Sequence, residues 1–210
     1  MPSSMTCSLL ELTEMEGMRH ATLALTAKLS AEQASFRPAS GGWSVAQVLD
    51  HLSLTLDLYA SQFRRVFALA DAGERPVLLL SLEEVDVGFP FVPKVVMPFL
   101  TAPLSMMNIF MPAQVRDAML RTAFLPATNP KASEPRRRPL SEIRTGLKTS
   151  MDAYRKLLDE HADAPLTSMR VLHPLFGNNS IPDLVRVCAA HEERHQKQIA
   201  KIMAASGFPA

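Results

Sequence analysis

The sequence has few cysteines, few aromatic residues and no excess of charge of either sign. Its 210 residues include only Cys7 and Cys188, too few and too far apart for a disulfide framework, which favours a reducing, cytoplasmic setting. The 22 basic and 21 acidic residues nearly cancel, which argues against a protein that binds nucleic acid through bulk positive charge. The N-terminal segment lacks a basic region and acquires glutamates early, so it does not resemble a signal peptide.

A long uninterrupted apolar helix is also missing. Residues 95–115 carry no charged side chain and are long enough to raise the question of a membrane span. Pro98, Pro103 and Pro112 interrupt this stretch, so we expect no continuous spanning helix. We interpret it as part of an apolar, Pro-rich insertion at about 74–139 that packs over the rest of the chain, a membrane-contacting surface being the alternative.

The insertion holds ten of the sixteen prolines, and its regularity is correspondingly poor. Short helical pieces are expected around Met106 and at 115–120. The stretch 128–139 contains three consecutive arginines, at 136–138, and has the composition of an exposed loop. These arginines are interpreted as a solvated turn, with contact to a phosphate or another anion as the alternative.

Four other stretches repeat apolar residues at helical spacing: 8–30, 44–73, 141–160 and 181–203. No stretch gives a convincing hairpin signal, and 172–177 is interpreted as a loop. The pattern predicts an all-α protein, a four-helix bundle with the long insertion between helices two and three. We expect the bundle to form a single domain over residues 1–210.

A serine followed three residues later by Glu, Gln or Asp is typical of a helix N-terminus. This pattern occurs at Ser8 with Glu11, Ser30 with Gln33, Ser44 with Gln47, and Ser180 with Asp183. Trp43 and Val48 also occupy the two positions of a hydrophobic staple around Ser44, which makes this the clearest helix start in the chain.

The last predicted helix carries two histidines where its apolar stripe would otherwise continue. His191 and His195 are four residues apart, so their imidazoles lie one above the other on a single face. That geometry suits two nitrogens that bind one metal ion. It is also compatible with two polar residues on a helix flank, one of them hydrogen-bonded in the core. The second predicted helix offers His51, and facing helices of a bundle are a known place for metal sites.

Three short motifs follow one another along the chain: W-S at 43–44 with H-L at 51–52, H-P-x-F-G at 173–177, and H-E-x-R-H-x-x-Q-I at 191–199. Their order and spacing resemble the DinB-like superfamily of bacterial metalloproteins, over about residues 9–203. The resemblance implies a four-helix bundle in which His51, His191 and His195 hold one divalent metal ion, zinc or nickel.

Characterised members of that superfamily include bacillithiol transferases and mycothiol-dependent maleylpyruvate isomerases, which use the metal to handle a low-molecular-weight thiol. The Pro-rich insertion departs from the simplest family pattern and is expected to shape the pocket, so the substrate stays open. Three neutral imidazoles leave a metal position free, where water would become hydroxide or a thiol would be held as thiolate. The same site therefore suits hydrolysis or thiol transfer, and its lack of a carboxylate disfavours a two-histidine-one-carboxylate iron site.

Glu192, directly after His191, is a candidate general base or a residue that orients a ligand. The alternative is a salt bridge with Arg64, Arg65 or Arg186, or a frayed position that faces solvent. We hold both interpretations open at this point.

Other side chains near the three histidines have simpler interpretations. Cys188 is expected to be a small core residue. Gln198 either orients a ligand or packs in the bundle, and Trp43 is expected to be a staple. His173 is expected to brace a loop, and His161 to be solvated.

Two hypotheses of different classes follow from the sequence. The first is a metal-dependent enzyme acting on a small-molecule substrate, by transfer of a low-molecular-weight thiol or by hydrolysis. The second is a non-catalytic metal- or ligand-binding bundle of stress-related function, whose apolar insertion binds a partner or a lipid-like ligand. A homodimer is expected in either case, because helical bundles often pair and the insertion is strongly apolar.

Overall fold

A computed structural model describes residues 4–39, 41–81, 84, 131–173 and 177–210, and helix predominates within these ranges. The described helices are α1 (Ser4–Thr26), α2 (Ala31–Ser35), α3 (Val45–Asp71), α4 (Leu140–Asp159) and α5 (Ile181–Met203). Three short strands are β1 (Val77–Leu79), β2 (Arg170–His173) and β3 (Gly177–Ser180), and Lys131–Ser133 forms a turn of 3-10 helix. Most of the proposed insertion, with its helical pieces around Met106 and at 115–120, lies outside the described residues.

Three helices begin at capping boxes that the sequence predicted. At the start of α3, the Ser44 hydroxyl accepts a hydrogen bond from the Gln47 N–H (3.3 Å), and the Gln47 side chain accepts one from the Ser44 N–H (3.1 Å). Ser30 and Ser180 cap α2 and α5 in the same way. Such a cap typically contributes about 1 kcal/mol, because it satisfies backbone donors that the helix leaves free.

The fourth predicted capping box, at Ser8, is wrong. The first helix already begins at Ser4, so Ser8 lies inside α1 and Glu11 does not occupy the third helical position. The same helix ends at Thr26, earlier than the predicted end near residue 30. The other long helices lie within about two residues of their predicted bounds, and α3 ends just before Gly73, whose φ of 72° suits a helix C-terminus.

The long helices pack mainly in pairs, α1 against α5 and α3 against α4, and further contacts join α3 to α5. Their apolar faces form two clusters of buried side chains. One contains Phe63, Tyr154 and Leu184, and the other contains Val48 and Ile199. Each such side chain contributes about 1.5–3 kcal/mol when fully buried, so these faces hold the helices together. None of the described helices is both long enough and apolar enough to cross a bilayer.

A small sheet lies beside the helices, with β1 parallel to β2 and β2 antiparallel to β3. The prediction of a loop at 172–177 and of no hairpin is therefore wrong, although residues 174–176 lie outside the described ranges. The strands have only three or four residues, and β3 reads GNNS, without the apolar alternation that identifies a strand. The hairpin fixes where α5 begins, because Ser180 is both the last residue of β3 and the cap of α5.

Candidate metal centre

One nitrogen from each of three histidines meets the other two in a single small space. The Nε2 atom of His191 lies 3.3 Å from Nε2 of His51 and 3.0 Å from Nε2 of His195. Nitrogens that bind one tetrahedral zinc ion at about 2.0–2.1 Å lie roughly 3.3 Å apart, so the observed spacing has the right size. The three residues therefore form a group that could hold a metal ion.

The helices place these histidines as the sequence predicted. His191 and His195 lie one turn apart on α5, with ring centroids 4.4 Å apart. The His51 ring, from α3, lies 5.1 Å from the His191 ring and 5.0 Å from the His195 ring. His51 and His195 are buried, and His191 is half-buried.

Two of the rings are oriented by hydrogen bonds from the nitrogen that faces away from the group. Nδ1 of His51 lies 2.8 Å from the carbonyl oxygen of Ser133, and Nδ1 of His195 lies 2.8 Å from Oε1 of Gln198. Because these oxygens can only accept, Nδ1 carries the proton and Nε2 keeps its lone pair. Gln198 thus orients a candidate ligand, one of the two roles that the sequence suggested.

Sequence reasoning missed Ser133 altogether. It contributes a backbone carbonyl, which any residue type could supply, and it lies 82 positions from His51. No residue pattern identifies such a contact. The bond nevertheless serves the purpose that partners of metal-binding histidines usually serve, since it fixes both tautomer and ring orientation.

The environment of the group keeps its imidazoles neutral. Burial lowers the pKa of His195 to about 3, and it lowers the pKa of His191 well below 6.5, with repulsion from the two neighbouring histidines acting in the same direction. Burial also lowers the pKa of His51, against the smaller opposing effects of the Ser133 hydrogen bond and Asp50. Neutral imidazoles are the form in which histidine binds metals.

These pKa shifts predict that the metal-free protein loses stability in mild acid. His195 and His173 both have a pKa of about 3 when folded, against an ordinary value of 6.5. Below about pH 6.5 the unfolded chain therefore binds protons that the folded chain does not, and stability falls as the pH falls. Each histidine contributes at most about 1.4 kcal/mol per pH unit to this slope.

Urea unfolding of the chelator-treated protein between about pH 7.5 and pH 5.5 measures the effect, above the range where most carboxylates titrate. His173→Gln should reduce the slope, because burial lowers the pKa of His173 in the folded protein. A free energy of unfolding that stays constant or rises as the pH is lowered through this range would contradict the prediction.

Trp43 forms one wall of the group. Its ring centroid lies 4.9 Å from that of His51 and 6.4 Å from that of His195, to which it is nearly parallel, at 15°. The half-buried indole also packs against the cluster that contains Val48, which fits the staple position assigned from the sequence. The residue thus has two neighbours at once, the start of α3 and the candidate metal centre.

Glu192 lies in a buried salt bridge. Its two carboxylate oxygens accept hydrogen bonds from Nε (2.9 Å) and Nη2 (3.0 Å) of Arg19 on α1. The partners suggested by the sequence, Arg64, Arg65 or Arg186, are therefore wrong, and Arg186 instead pairs with carboxylates on α1 and at the start of α5. Because Arg19 engages both oxygens, the arrangement favours the salt-bridge interpretation of Glu192 over that of a general base.

Arg19 joins four helices through one guanidinium group. Besides the carboxylate on α5, it donates to the backbone carbonyl oxygens of Leu147 on α4 (2.7 Å) and Leu52 on α3 (3.4 Å). Arg19 was not among the residues predicted for the site. A signal was present, since Arg19 follows Leu12 and Met15 at helical spacing on the buried face of α1, where a cation needs a partner.

Two nearby residues have structural roles. Cys188 is a buried core residue, as expected, with its sulfur 3.9 Å from the Tyr154 hydroxyl, and burial raises the pKa of the thiol to about 12. His161 is not simply solvated, so that prediction is wrong. Its ring stacks on Phe67 with centroids 3.8 Å apart, and Nδ1 donates to the Leu157 carbonyl oxygen (2.8 Å).

The arginines at 136–138 were interpreted as a solvated turn or an anion contact. Arg138 instead forms a salt bridge with Asp50, a fully buried carboxylate on α3.

A cavity of about 380 Å³ lies beside this pair, between α3 and α4, and its lining includes Asp57 and Arg136. None of the three histidines lines it. The candidate site therefore rests on the convergence of the imidazoles and not on this cavity.

Comparison with protein families gives a match over most of the chain. A family model described as the DinB superfamily matches residues 14–199, which is most of the chain and includes all three histidines. No curated protein and no solved structure matches the chain.

Proposed function

Because the chain belongs to the DinB superfamily, we propose that it is a metalloprotein whose His51, His191 and His195 bind one divalent metal ion. The observation that carries the proposal is the convergence of three Nε2 atoms at 3.0 and 3.3 Å. The proposed scaffold is a bundle of the four long helices, in which α3 supplies one ligand and α5 supplies two.

The residues present fit zinc or nickel. The group consists of three uncharged nitrogen donors, which suit zinc, copper, nickel and iron better than magnesium or calcium, whose ligands are oxygens. No carboxylate joins the group among the described residues, which weighs against a facial-triad iron site. Three protein ligands are also the number found in catalytic zinc sites, where a further position stays open.

We propose that the site is catalytic and acts on a small molecule, by transfer of a low-molecular-weight thiol to an electrophile or by hydrolysis. A bound zinc or nickel ion supplies Lewis acidity that lowers the pKa of a coordinated thiol or water. Ser133 and Gln198 fix two of the imidazoles, and the Trp43 ring lies against one side of the group. The affinity of these metals for thiolate supports transfer over hydrolysis.

A non-catalytic metal- or ligand-binding bundle of stress-related function is the second candidate. Burial of His51 and His195, at 5% and 7% exposure, supports it, because a site that is largely covered gives a substrate little access to the ion. A cytoplasmic location and a homodimer are part of the proposal in either form.

Elemental analysis of protein purified without an affinity tag tests the metal assignment. We expect about one zinc or nickel ion per chain, as three converging imidazoles predict. No metal in the native protein, and none after reconstitution, would sink the proposal.

Activity then separates the two candidates. The enzyme hypothesis predicts that conjugation of a small thiol to an alkylating probe, or cleavage of an activated ester, stops when a chelator removes the metal and returns when the metal is restored. The binding module would be favoured by protein that holds one metal ion per chain but shows neither activity. In that case added thiols should also leave the absorption spectrum of the metal site unchanged.

A further inference from the structure

Residues 131–138, here called the return segment, contact two consecutive residues of α3, Asp50 and His51. The Ser133 carbonyl oxygen accepts from Nδ1 of His51 (2.8 Å), as described above. Three residues later, the Arg136 backbone N–H donates to Oδ2 of Asp50 (2.6 Å). The Arg138 guanidinium donates to the other oxygen of Asp50, with Nε at 2.9 Å. The segment is therefore fixed to α3 on both sides of Glu134 and Pro135.

Asp50 is the anchor of this arrangement. It is fully buried, and both of its oxygens are engaged by the return segment. A buried carboxylate without partners is strongly unfavourable, so the contacts with Arg136 and Arg138 form together with the folded position of the segment. Since α4 begins at Leu140, directly after these contacts, the backbone between Ser133 and α4 has little freedom to move.

The position of Ser133 determines the state of His51. An imidazole ring rotates over a broad range about its outer torsion, and its proton exchanges between two nitrogens. The Ser133 carbonyl selects one rotation and one tautomer, the one that leaves Nε2 with its lone pair beside His191 and His195. If the return segment were displaced, neither the ring rotation nor the tautomer of His51 would be fixed.

We propose that Asp50 and Arg138 are positioning residues of the metal centre, which hold the return segment so that the Ser133 carbonyl orients His51. The inference rests on the proposed metal-binding function and adds to it a determinant outside the three histidines. It also gives the arginine run at 136–138 a role, because Arg138 acts on the site through Asp50 and the backbone.

The experiment compares Arg138→Gln with Arg137→Gln. The two arginines are neighbours, but Arg137 is exposed, and among the described residues no hydrogen bond or salt bridge joins it to Asp50. Loss of a hydrogen-bond partner of a metal-binding histidine typically weakens metal affinity about 10–100-fold. Because the effect here is transmitted through one further contact, we expect a loss of about tenfold in R138Q and no change in R137Q, measured by competition with a chromophoric chelator.

Two further variants separate positioning from general destabilisation. Asp50→Asn removes the anchoring charge from α3 and should reproduce the loss of affinity seen in R138Q. Leu157→Ala opens a gap in the core cluster that contains Tyr154. It should lower thermal stability without changing metal affinity or the absorption spectrum of the cobalt-substituted protein. Equal affinities and cobalt spectra in R138Q and wild type would overturn the inference.

A second readout works without metal. In the metal-free wild type, nitrogen-15 NMR should show His51 protonated at Nδ1, with slow exchange of that proton, and R138Q should show mixed tautomers and faster exchange. If the wild type binds no metal but the two proteins still differ in the His51 tautomer and exchange rate, the proposed metal-binding function is refuted and the positioning by Arg138 is supported. The same His51 tautomer and exchange rate in both proteins would refute the positioning.

Discussion

Replacing His191 with alanine is expected to lower the affinity for zinc or nickel by more than about 100-fold, because it removes a whole ligand where loss of a ligand's hydrogen-bond partner alone costs 10–100-fold. His191 is the central member of the group, with its Nε2 within 3.3 Å of both other Nε2 atoms. Only His51 on α3 and His195 on α5 would remain as ligands of the ion.

The fold should survive this change. His191 is half-buried, and alanine has the highest helix propensity of any residue, so α5 loses no propensity at this position. The lowered pKa of His191 keeps its imidazole neutral, so removal of the ring leaves no partner charge buried and unpaired. Far-UV circular dichroism should therefore match the wild type while competition with a chelator reports the loss of affinity.

His20→Ala is the matched control, because it removes an exposed histidine from α1 and should leave metal affinity unchanged. The assignment of His191 as a ligand fails if H191A retains one ion per chain with wild-type affinity. A loss of affinity in H20A as large as that in H191A would show that the assay measures surface binding.

The parts of the fold that sequence reasoning predicted well depend on local patterns. Apolar spacing predicted the long helices, and a serine with a polar partner three residues on predicted the caps at Ser44 and Ser180. The i, i+4 spacing of His191 and His195 fixed their relation within α5 before any packing was known. His51 was a candidate because facing helices of a bundle often carry metal sites, and the family resemblance assigned it to the same ion as His191 and His195.

The parts that were missed depend on long-range contacts or on the backbone. The β2–β3 hairpin has no apolar alternation, and the Ser133 carbonyl carries no side-chain identity. Ser8 and Glu11 do match the capping pattern, but α1 begins four residues earlier, at Ser4, so Ser8 is not a cap. The single-domain boundary at 1–210 and the course of the insertion stay predictions, because most of 82–130 lies outside the described residues.

Arg19→Met is expected to destabilise the protein by about 3–5 kcal/mol, the usual cost of breaking a buried ion pair by removal of one partner. The change keeps a long unbranched side chain on α1 but leaves the Glu192 carboxylate buried and unpaired, at 1% exposure. It also removes the donor to the Leu147 carbonyl oxygen, a bond of 2.7 Å. Urea unfolding at neutral pH measures the loss.

The double variant Arg19→Met, Glu192→Met should recover much of this loss, because replacement of a buried pair by apolar residues of similar size is often neutral or stabilising. Recovery would show that the cost in R19M comes from the stranded carboxylate. If R19M costs less than about 1 kcal/mol, the value typical of an exposed pair, the salt bridge does not stabilise the folded state as described.

Glu192→Gln connects this pair to the chemistry of the site. The substitution keeps the shape of the side chain and removes its charge, so it tests the two roles of Glu192 separately. If the carboxylate serves Arg19, E192Q lowers the free energy of unfolding while the activity of the folded, metal-loaded fraction stays near that of the wild type. If Glu192 is a general base, activity falls about 10²–10⁴-fold at full metal occupancy. The two Arg19 hydrogen bonds to its oxygens lead us to expect the first result.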